Sequence, residues 1–511
     1  MSTTITYKGS TLTTVDNQTR TLKTAGKYME GDVILTDVTE GGNGGYVWQD
    51  ENGYVHLDDE GTTPITVESL SITQNGTYTA PTGKAYSPVT VNVSGGGGSP
   101  ATKKQINFID YDGTIVESYT KTEWQNVTAL PSNPSHTGLT AQGWNWTKAQ
   151  IDAQLTAMPD GDVWVGQMYI TDDGKTRIYI RLEEGRLHPY LGICPNGTVE
   201  VDWGDNSATA TLIGTSLTSV KYADHEYASG GDYVITLEVT NGTFAFYGTS
   251  DTSNILRKDT GTTTGVHTVY TNAVQRIEIG ANVSLGNYAF KYCASLTNIT
   301  IPHGTNATAG YIFQNCYSLT CIVIPDNSNG IGTYAFYSCK ALASIAIPSG
   351  VHSIGAQAFR DCSALASITI PDDVTSLGTY MFNNCASLAS IMIPNSVASL
   401  GTYMCNYCYS LARITIPSSV TSIVTSVLNN CYSLVRITIP SSVTSIAAYA
   451  FSGCYGMAEY HFLPTTPPTL ANTNAFSGIP SDCKIYVPSA SLETYKTATN
   501  WSTYALYMVG E

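Results

Sequence analysis

The chain has 511 residues, 42% of them hydrophobic, which is enough for several domains with ordinary cores. It carries 24 Lys and Arg against 40 Asp and Glu, a formal net charge of −16, and only 13% of its residues are charged. No basic stripe is present that could displace counterions from phosphates, so nucleic-acid binding is not expected. No run of about 18 apolar residues occurs, so no membrane span is expected.

The N-terminal part of the chain is predicted to form small β modules separated by glycine-rich segments. Asn52 and Gly53, between two runs of alternating apolar residues, are the residue pair most typical of a tight hairpin turn. The predicted segments are, in chain order, a β module (1–39), a glycine-rich hairpin segment (40–62), a small β module (63–94) and a linker (95–102).

Residues 103–170 are predicted to form a separate mixed α/β unit. Residues 147–155 space their apolar side chains as a helix does. The run 107–115 resembles the β-grasp repeats of internalin type, and the resemblance implies a β-grasp-like domain. Trp144 and Trp146 are expected to pack in a core or an interface, with stacking on a sugar as the alternative.

Residues 171–250 are predicted to form a further domain. The run 199–205, followed by residues 225–227 and a long apolar strand, resembles a PKD-like domain, in which this motif occupies a tight turn. The resemblance implies a β-sandwich. Asn206 stands where that family usually has glycine, which affects the expected turn more than the expected fold. A connector that caps the next domain is predicted over residues 251–275.

From residue 276 to residue 463 the sequence repeats every 23 residues. Proline keeps the same step from Pro302 to Pro440, and paired isoleucines before each proline predict a short strand that the proline ends. A helical turn is predicted before each cysteine, because apolar side chains lie three apart there. Repeat units of one constant length stack on one another and form a solenoid. A solenoid offers a long surface for binding and no enclosed pocket. The cysteines of this structural ladder are Cys293, Cys316, Cys339, Cys362, Cys385, Cys408, Cys431 and Cys454.

Two groups of residues, a pair of aspartates and the cysteines, have side chains of the kind that bind metals. Asp202 and Asp205 are expected to cap the sandwich turn, with Ca²⁺ binding as the alternative because Ca²⁺ prefers oxygen ligands. Cysteine metal sites need clustered Cys and His, and no histidine follows the 23-residue period. Cys405 and Cys408 form a C-x-x-C pair, but Cys405 occupies the phenylalanine position of its repeat. We therefore predict buried apolar thiols, no metal and no other cofactor.

Catalytic residues are not recognisable in this sequence. The eight histidines are scattered, and neither a nucleophile elbow nor a phosphate-binding loop occurs. The expected protein is not an enzyme, although paired carboxylates of a polysaccharide-degrading enzyme would escape detection without a fold.

The repeat pattern L-x-x-I-x-I-P-x-x-V-x-x-I-G-x-x-A-F-x-x-C, well illustrated by residues 344–362, resembles BspA-like leucine-rich repeats. The resemblance covers residues 276–463 and implies a curved solenoid that serves in adhesion or host contact. Residues 464–511 resemble the segment that closes many such arrays. The expected fold class is therefore mainly β, with several small modules followed by a leucine-rich-repeat solenoid.

The modular order of the whole chain resembles tail-fibre proteins of phages and prophages from gut Firmicutes. The residues that carry this resemblance are 4–10, 22–28, 49–57 and 75–86. It implies an N-terminus that docks on other tail or baseplate proteins, a solenoid that binds a bacterial surface glycan or protein, and a homotrimer. No export signal follows Met1, so a virion protein made in the host cytoplasm is expected. A bacterial cell-surface adhesin is the alternative, and a polysaccharide-degrading tail spike is the third hypothesis.

Two sets of tyrosines and one strand face compete as the receptor-binding surface. Tyr317, Tyr409, Tyr432 and Tyr455 directly follow a ladder cysteine, where other repeats carry Ala, Ser or Lys, so we expect them to be exposed and to bind the receptor. A second set lies five residues before the cysteine, and packing between coils is the alternative for it: Tyr288, Tyr311, Tyr334, Tyr380, Tyr403 and Tyr449. The competing strand positions are Thr300, Val323, Ala346, Thr369, Met392, Thr415, Thr438 and His461.

Overall fold

The computed structural model describes residues 105–158, 162–248, 255–258, 268–305, 307 and 309–511, together with six short strands nearer the N-terminus. The chain divides into two compact units, Met1–Thr102 and Lys103–Glu511. The predicted glycine-rich segment at 41–45, the linker at 95–102 and much of the connector at 251–275 lie outside the described residues.

The first unit contains two small sheets, with strand orders β1-β2-β6 and β3-β5-β4. Its strands are β1 (Thr4–Tyr7), β2 (Ser10–Thr14), β3 (Tyr28–Met29), β4 (Tyr46–Gln49), β5 (Tyr54–Asp58) and β6 (Thr90–Val91). Strands β4 and β5 pair antiparallel with Trp48 opposite His56, as the predicted hairpin requires. The predicted turn at Asn52 and Gly53 is outside the described residues.

The second unit begins with an α/β domain, defined here as residues 105–171. Its four-stranded sheet has the order β8-β7-β10-β9, with β10 parallel to β7 and antiparallel to β9. Thr147 forms a capping box with Gln150, so the helix predicted over 147–155 begins at Lys148. The elements are β7 (Ile106–Ile109), β8 (Ile115–Tyr119), α1 (Lys121–Trp124), β9 (Leu139–Trp144), α2 (Lys148–Ala157) and β10 (Val163–Thr171).

A larger sheet follows, with the order β13-β12-β15-β11-β16-β18. Its strands and the short helix between them are β11 (Thr176–Leu182), β12 (Tyr190–Asp202), β13 (Ala210–Thr215), β14 (Lys221–Asp224), β15 (Gly231–Phe246), α3 (Thr268–Thr271), β16 (Val274–Glu278), β17 (Val283–Leu285) and β18 (Asn298–Thr300). Strand β16 is antiparallel to β11 and parallel to β18. The antiparallel sheet therefore continues directly into the first parallel coil of the repeats.

The repeats form a β-solenoid in which each coil pairs in parallel with the coil 23 residues away, as Ile391 pairs with Ile414. Its strands are β19 (Cys321–Val323), β20 (Ser344–Ala346), β21 (Ser353–Ile354), β22 (Ser376–Leu377), β23 (Ser390–Met392), β24 (Arg413–Thr415), β25 (Ser422–Ile423), β26 (Arg436–Ile439), β27 (Ser445–Ile446), β28 (Glu459–Phe462) and β29 (Thr469–Leu470). Strands β30 (Lys484–Val487) and β31 (Met508–Gly510), helix α4 (Leu492–Thr497) and 3-10 helices at Thr473–Phe476, Ser489–Ser491 and Trp501–Tyr507 close the array. The mainly β architecture with a C-terminal repeat solenoid is confirmed.

The helical turn predicted before each ladder cysteine is wrong, because the chain forms successive tight turns there. Met404 N–H donates to Gly401 O within its own coil at 3.2 Å, whereas Cys405 N–H donates to Val427 O of the next coil at 2.9 Å. Tyr403 has a φ of +57°, in the left-handed region. Every second N–H group in this segment donates to the next coil. The consecutive hydrogen bonds of an α-helix, each to the residue four earlier, therefore cannot form.

The cysteine ladder lies in the core, and all twelve cysteines of the chain are free and buried. From Cys316 to Cys454 each ladder thiol donates to the main-chain carbonyl 26 residues earlier, as Cys385 Sγ does to Phe359 O at 3.1 Å. The prediction of buried thiols is confirmed. Each thiol also links its coil to the preceding one through a weak hydrogen bond, which sequence reasoning missed.

We expect the ladder thiols to resist alkylation in the native chain. Burial raises the pKa of the Cys454 thiol to about 12, so roughly one molecule in ten thousand would carry the reactive thiolate at about pH 8. Iodoacetamide followed by peptide mass spectrometry should find these cysteines unmodified in buffer and fully modified in guanidinium chloride. Rapid labelling of Cys385 in buffer would show that the coils open.

Candidate recognition surfaces

The four tyrosines that follow ladder cysteines are exposed, as expected. Their exposed fractions are 42% for Tyr317, 37% for Tyr409, 42% for Tyr432 and 62% for Tyr455. Exposure makes them available to a partner, and receptor binding by these residues stays a prediction.

Three of these tyrosines form one continuous surface. The ring centroids of Tyr409 and Tyr432 are 4.9 Å apart, and those of Tyr432 and Tyr455 are 5.4 Å apart. Tyr407, which is 41% exposed, adds a fourth ring 6.0 Å from Tyr409. We call Tyr407, Tyr409, Tyr432 and Tyr455 the tyrosine strip. Sequence reasoning missed Tyr407, because most repeats have Asn, Asp, Ser or Gly at its position.

Tyr317 is separated from the strip. The corresponding residues of the three coils between Tyr317 and Tyr409 are Lys340, Ser363 and Ala386. The Lys340 ammonium lies 5.2 Å from the centre of the Tyr317 ring, a cation–π contact within the chain. The structure therefore divides the predicted tyrosine set into a cluster of three and one isolated ring.

The second tyrosine set forms stacks along the coils. Ring centroids are 4.7 Å apart for Tyr288 and Tyr311, and 4.6 Å apart for Tyr380 and Tyr403. These four rings are half-buried, and their backbones have φ values between +56° and +60°. The left-handed region disfavours such bulky residues, so the rings are held there by their neighbours. This arrangement supports packing between coils, although Tyr449 at the end of the set is 45% exposed.

The strand face is divided into a covered half and an open half. Thr300, Val323, Ala346 and Thr369 are buried, with exposed fractions of 1%, 4%, 0% and 2%. The covering element is strand β10 of the α/β domain, which contacts β18, β19 and β20. Met392 and His461 are half-buried, whereas Thr415 and Thr438 are exposed. The competing receptor surface is thus limited to the last four positions of the predicted series.

The α/β domain binds the solenoid mainly through backbone carbonyls. Asn145 Nδ2 donates to Ile324 O at 2.9 Å and to Ala346 O at 3.1 Å. Trp146 Nε1 donates to Ile347 O at 2.8 Å. Trp146 is 1% exposed and Asn145 is also 1% exposed. The prediction that Trp146 packs in a core or an interface is confirmed.

A second group of contacts lies one coil further along. Gln154 Nε2 donates to Ile370 O at 3.0 Å, and its Oε1 accepts from Asp372 N at 2.9 Å. Thr369 Oγ1 donates to Asp162 O at 2.5 Å and accepts from Trp164 N at 3.2 Å. Buried and mutually satisfied polar groups such as these fix one docking geometry.

Trp144, unlike Trp146, belongs to the core of the α/β domain. Its ring centroid is 4.9 Å from that of Phe108, with the two planes almost perpendicular, and its Nε1 donates to Pro131 O at 2.9 Å. A ring enclosed in this way has no face for a sugar.

The carboxylates of the turn that follows strand β12 cap backbone N–H groups. Asp202 Oδ1 accepts from Gly204 N at 2.9 Å, and Asp205 Oδ1 accepts from Ser207 N at 3.1 Å. Burial of Asp205 opposes ionisation, but hydrogen bonds from Ser207 and His225 lower its pKa to about 2. Asn206 has a φ of +64°, a left-handed conformation that Asn tolerates better than most residues other than glycine. Turn capping by Asp202 and Asp205 is confirmed.

The described residues contain no group of three or more His, Cys, Asp or Glu side chains placed to hold a metal ion. Within the same part of the chain, no helix is long and apolar enough to cross a membrane.

Residues 236–343 and 329–458 match the family model of the BspA type leucine-rich repeat region. No curated protein matches the chain in sequence. Among solved structures, a leucine-rich repeat protein of T. pallidum is 25% identical over 36% of this chain and 84% of its own, with a TM-score of 0.29.

Two other solved structures are similar over a comparable part of the chain. A leucine-rich repeat protein of Bacteroides ovatus is 26% identical over 43% of this chain and 63% of its own, with a TM-score of 0.36. A leucine-rich cell surface protein of Faecalibacterium prausnitzii is 26% identical over 42% of this chain and 73% of its own, with a TM-score of 0.27. The match to the family model and the 23-residue coils together show leucine-rich repeats of the BspA type within residues 236–458.

Proposed function

We propose that this chain is a non-enzymatic attachment protein, a phage tail-fibre protein whose solenoid binds a bacterial surface receptor through the tyrosine strip. The observation that carries the proposal is the run of exposed rings at Tyr409, Tyr432 and Tyr455, spaced 4.9 and 5.4 Å apart. Repeat solenoids generally use such extended surfaces for recognition.

The strip has the physical properties of a binding surface. Each ring offers an apolar face to a sugar or peptide and a hydroxyl for a hydrogen bond. The backbone below the rings is fixed by bonds between coils, as Ser433 N–H donates to Tyr409 O at 3.1 Å. A surface that is rigid before binding loses little conformational entropy on association.

The tail-fibre part of the proposal rests on the modular order of the chain. In this proposal residues 1–39 dock on other tail or baseplate proteins, and the solenoid faces the host. Tail genes beside the coding sequence are the expected genomic context. An isolated gene beside a dedicated export system would instead favour a bacterial cell-surface adhesin.

Replacing Tyr409 and Tyr432 with alanine should weaken attachment to bacterial cells at least about tenfold, since two aromatic contacts are lost. The melting temperature should change little, because both side chains are exposed. The measurement is binding of the fluorescently labelled chain to a panel of Gram-positive gut bacteria. Tyr317→Ala is the matched control, because it removes the isolated tyrosine from the same repeat position. Full attachment by the double variant would move the site to the strand face or to the N-terminal modules.

A further inference from the structure

A cleft lies where the open half of the strand face meets the α/β domain. Its walls include Met158 and Asp162 from the domain and Ser390, Met392, Arg413 and Thr415 from the solenoid. The four solenoid residues come from adjacent strands in register, with Ser390 beside Arg413 and Met392 beside Thr415. The cleft is therefore formed jointly by two parts of the chain and is distinct from the tyrosine strip.

Three polar side chains of this cleft, those of Ser390, Arg413 and Thr415, are available for a ligand. No side-chain hydrogen bond or ion pair within the described part of the chain engages Arg413, Ser390 or Thr415. Arg413 is exposed on β24, while Arg436, at the same repeat position one coil later, donates through Nε to Glu459 Oε2 at 2.6 Å. Arg413 therefore differs from its equivalent in the next coil, because no side chain of the described residues engages its guanidinium.

We propose that this cleft binds one sugar unit of a neutral, hydroxyl-rich bacterial polysaccharide. The Arg413 guanidinium and the Ser390 and Thr415 hydroxyls can bond to neighbouring sugar hydroxyls, since a guanidinium presents several donors in fixed directions. The half-buried Met392 provides adaptable apolar surface for the carbon face of the ring. One carboxylate, Asp162, and one guanidinium give the lining no net charge, which favours a neutral sugar over a charged one.

The α/β domain closes the strand face on one side of the cleft. A polysaccharide therefore enters from the open coils, over Thr415, Thr438 and His461. The inference rests on the proposed attachment to a bacterial surface, and it names the ligand and a second contact region.

The test uses cell-wall polysaccharide purified from a bacterium to which the full chain attaches, with dissociation constants measured by calorimetry. Arg413→Ala should weaken binding about tenfold, the expected loss of a hydrogen bond to a charged donor. Thr415→Trp, which fills the cleft from an exposed position, should weaken it at least as much. Arg436→Ala is the matched control and should stay within about twofold of the wild type. Melting temperatures of all three variants check that they fold.

The outcomes separate this inference from the proposed function. Unchanged polysaccharide binding by both cleft variants overturns the cleft assignment and leaves attachment through the tyrosine strip intact. A steep loss of wild-type affinity with added salt overturns the neutral sugar, because screening affects charged ligands most. If the wild-type chain attaches to no bacterium of the panel, the proposed function and this inference fail together.

Discussion

Replacing Ile391 with aspartate should destabilise the repeat array by at least about 3 kcal/mol, since it removes a buried aliphatic side chain and leaves an unpaired charge in the core. Ile391 is 2% exposed and pairs with Ile414 of the next coil. Because each coil is stabilised by its neighbours, the damage should spread to adjacent repeats. Hydrogen exchange measured by mass spectrometry should show faster exchange on both sides of the substituted coil.

A matched control for this variant lies two coils away. Thr438→Asp introduces the same charge at an exposed strand position, between the buried Ile437 and Ile439. It should change the free energy of unfolding by less than about 0.5 kcal/mol. If exchange in the Ile391→Asp variant increases only within its own coil, the repeats are energetically independent and the nearest-neighbour description is wrong.

Adding one methyl group at Gly166 should loosen the α/β domain from the solenoid. A Cβ at Gly166 would lie 2.5 Å from both methyl carbons of Val323 and 2.9 Å from the Cβ of Ala346. Overpacking of this kind costs about 1–3 kcal/mol. Gly166→Ala should therefore lower the melting temperature and speed hydrogen exchange in strands β19 and β20, which the domain covers.

Val323→Ala provides the internal check on that prediction. Alone it should destabilise the chain, because it removes buried methyl groups. In the Gly166→Ala background it should restore stability, with a coupling of at least about 1 kcal/mol in a double-mutant cycle. Gly310→Ala serves as a control, because its new Cβ would meet its nearest atoms at an ordinary 3.5 Å. Additive effects of Gly166→Ala and Val323→Ala would show that the two residues do not touch.

The repeat architecture was predictable because it depends on side chains that recur at one spacing. The burial of Cys385, Ile391 and every equivalent residue follows from that period. The local path before each cysteine was not predictable from the same spacing. Apolar residues three apart fit an α-helix and a series of tight turns equally well, and the choice depends on bonds to the next coil. Residue propensities do not predict that a tyrosine such as Tyr403 adopts the left-handed conformation.

The division of the strand face could not be predicted. The contacts that cover Ala346 join residues about 200 positions apart, as in the bond from Asn145 Nδ2 to Ala346 O. Every residue has a carbonyl acceptor, whatever its side chain. The solenoid residues of an interface made through carbonyls therefore cannot be recognised from the sequence. The exposure of the tyrosines was predictable, because other repeats have Lys, Ser or Ala at the same position. The cleft at Arg413 was not predictable, because part of its wall comes from Met158 and Asp162 of the α/β domain.

The hydroxyl of Thr369 selects which coil of the array the α/β domain binds. A shift by one coil toward the C-terminus would offer Asn145, Trp146 and Gln154 equivalent carbonyls 23 residues further on, so those bonds alone do not select a position. Met392 would then take the place of Thr369, and it has no hydroxyl to bridge Trp164 N and Asp162 O. The Thr369 side chain, at one position of an otherwise periodic series, thus determines the coil on which the α/β domain binds.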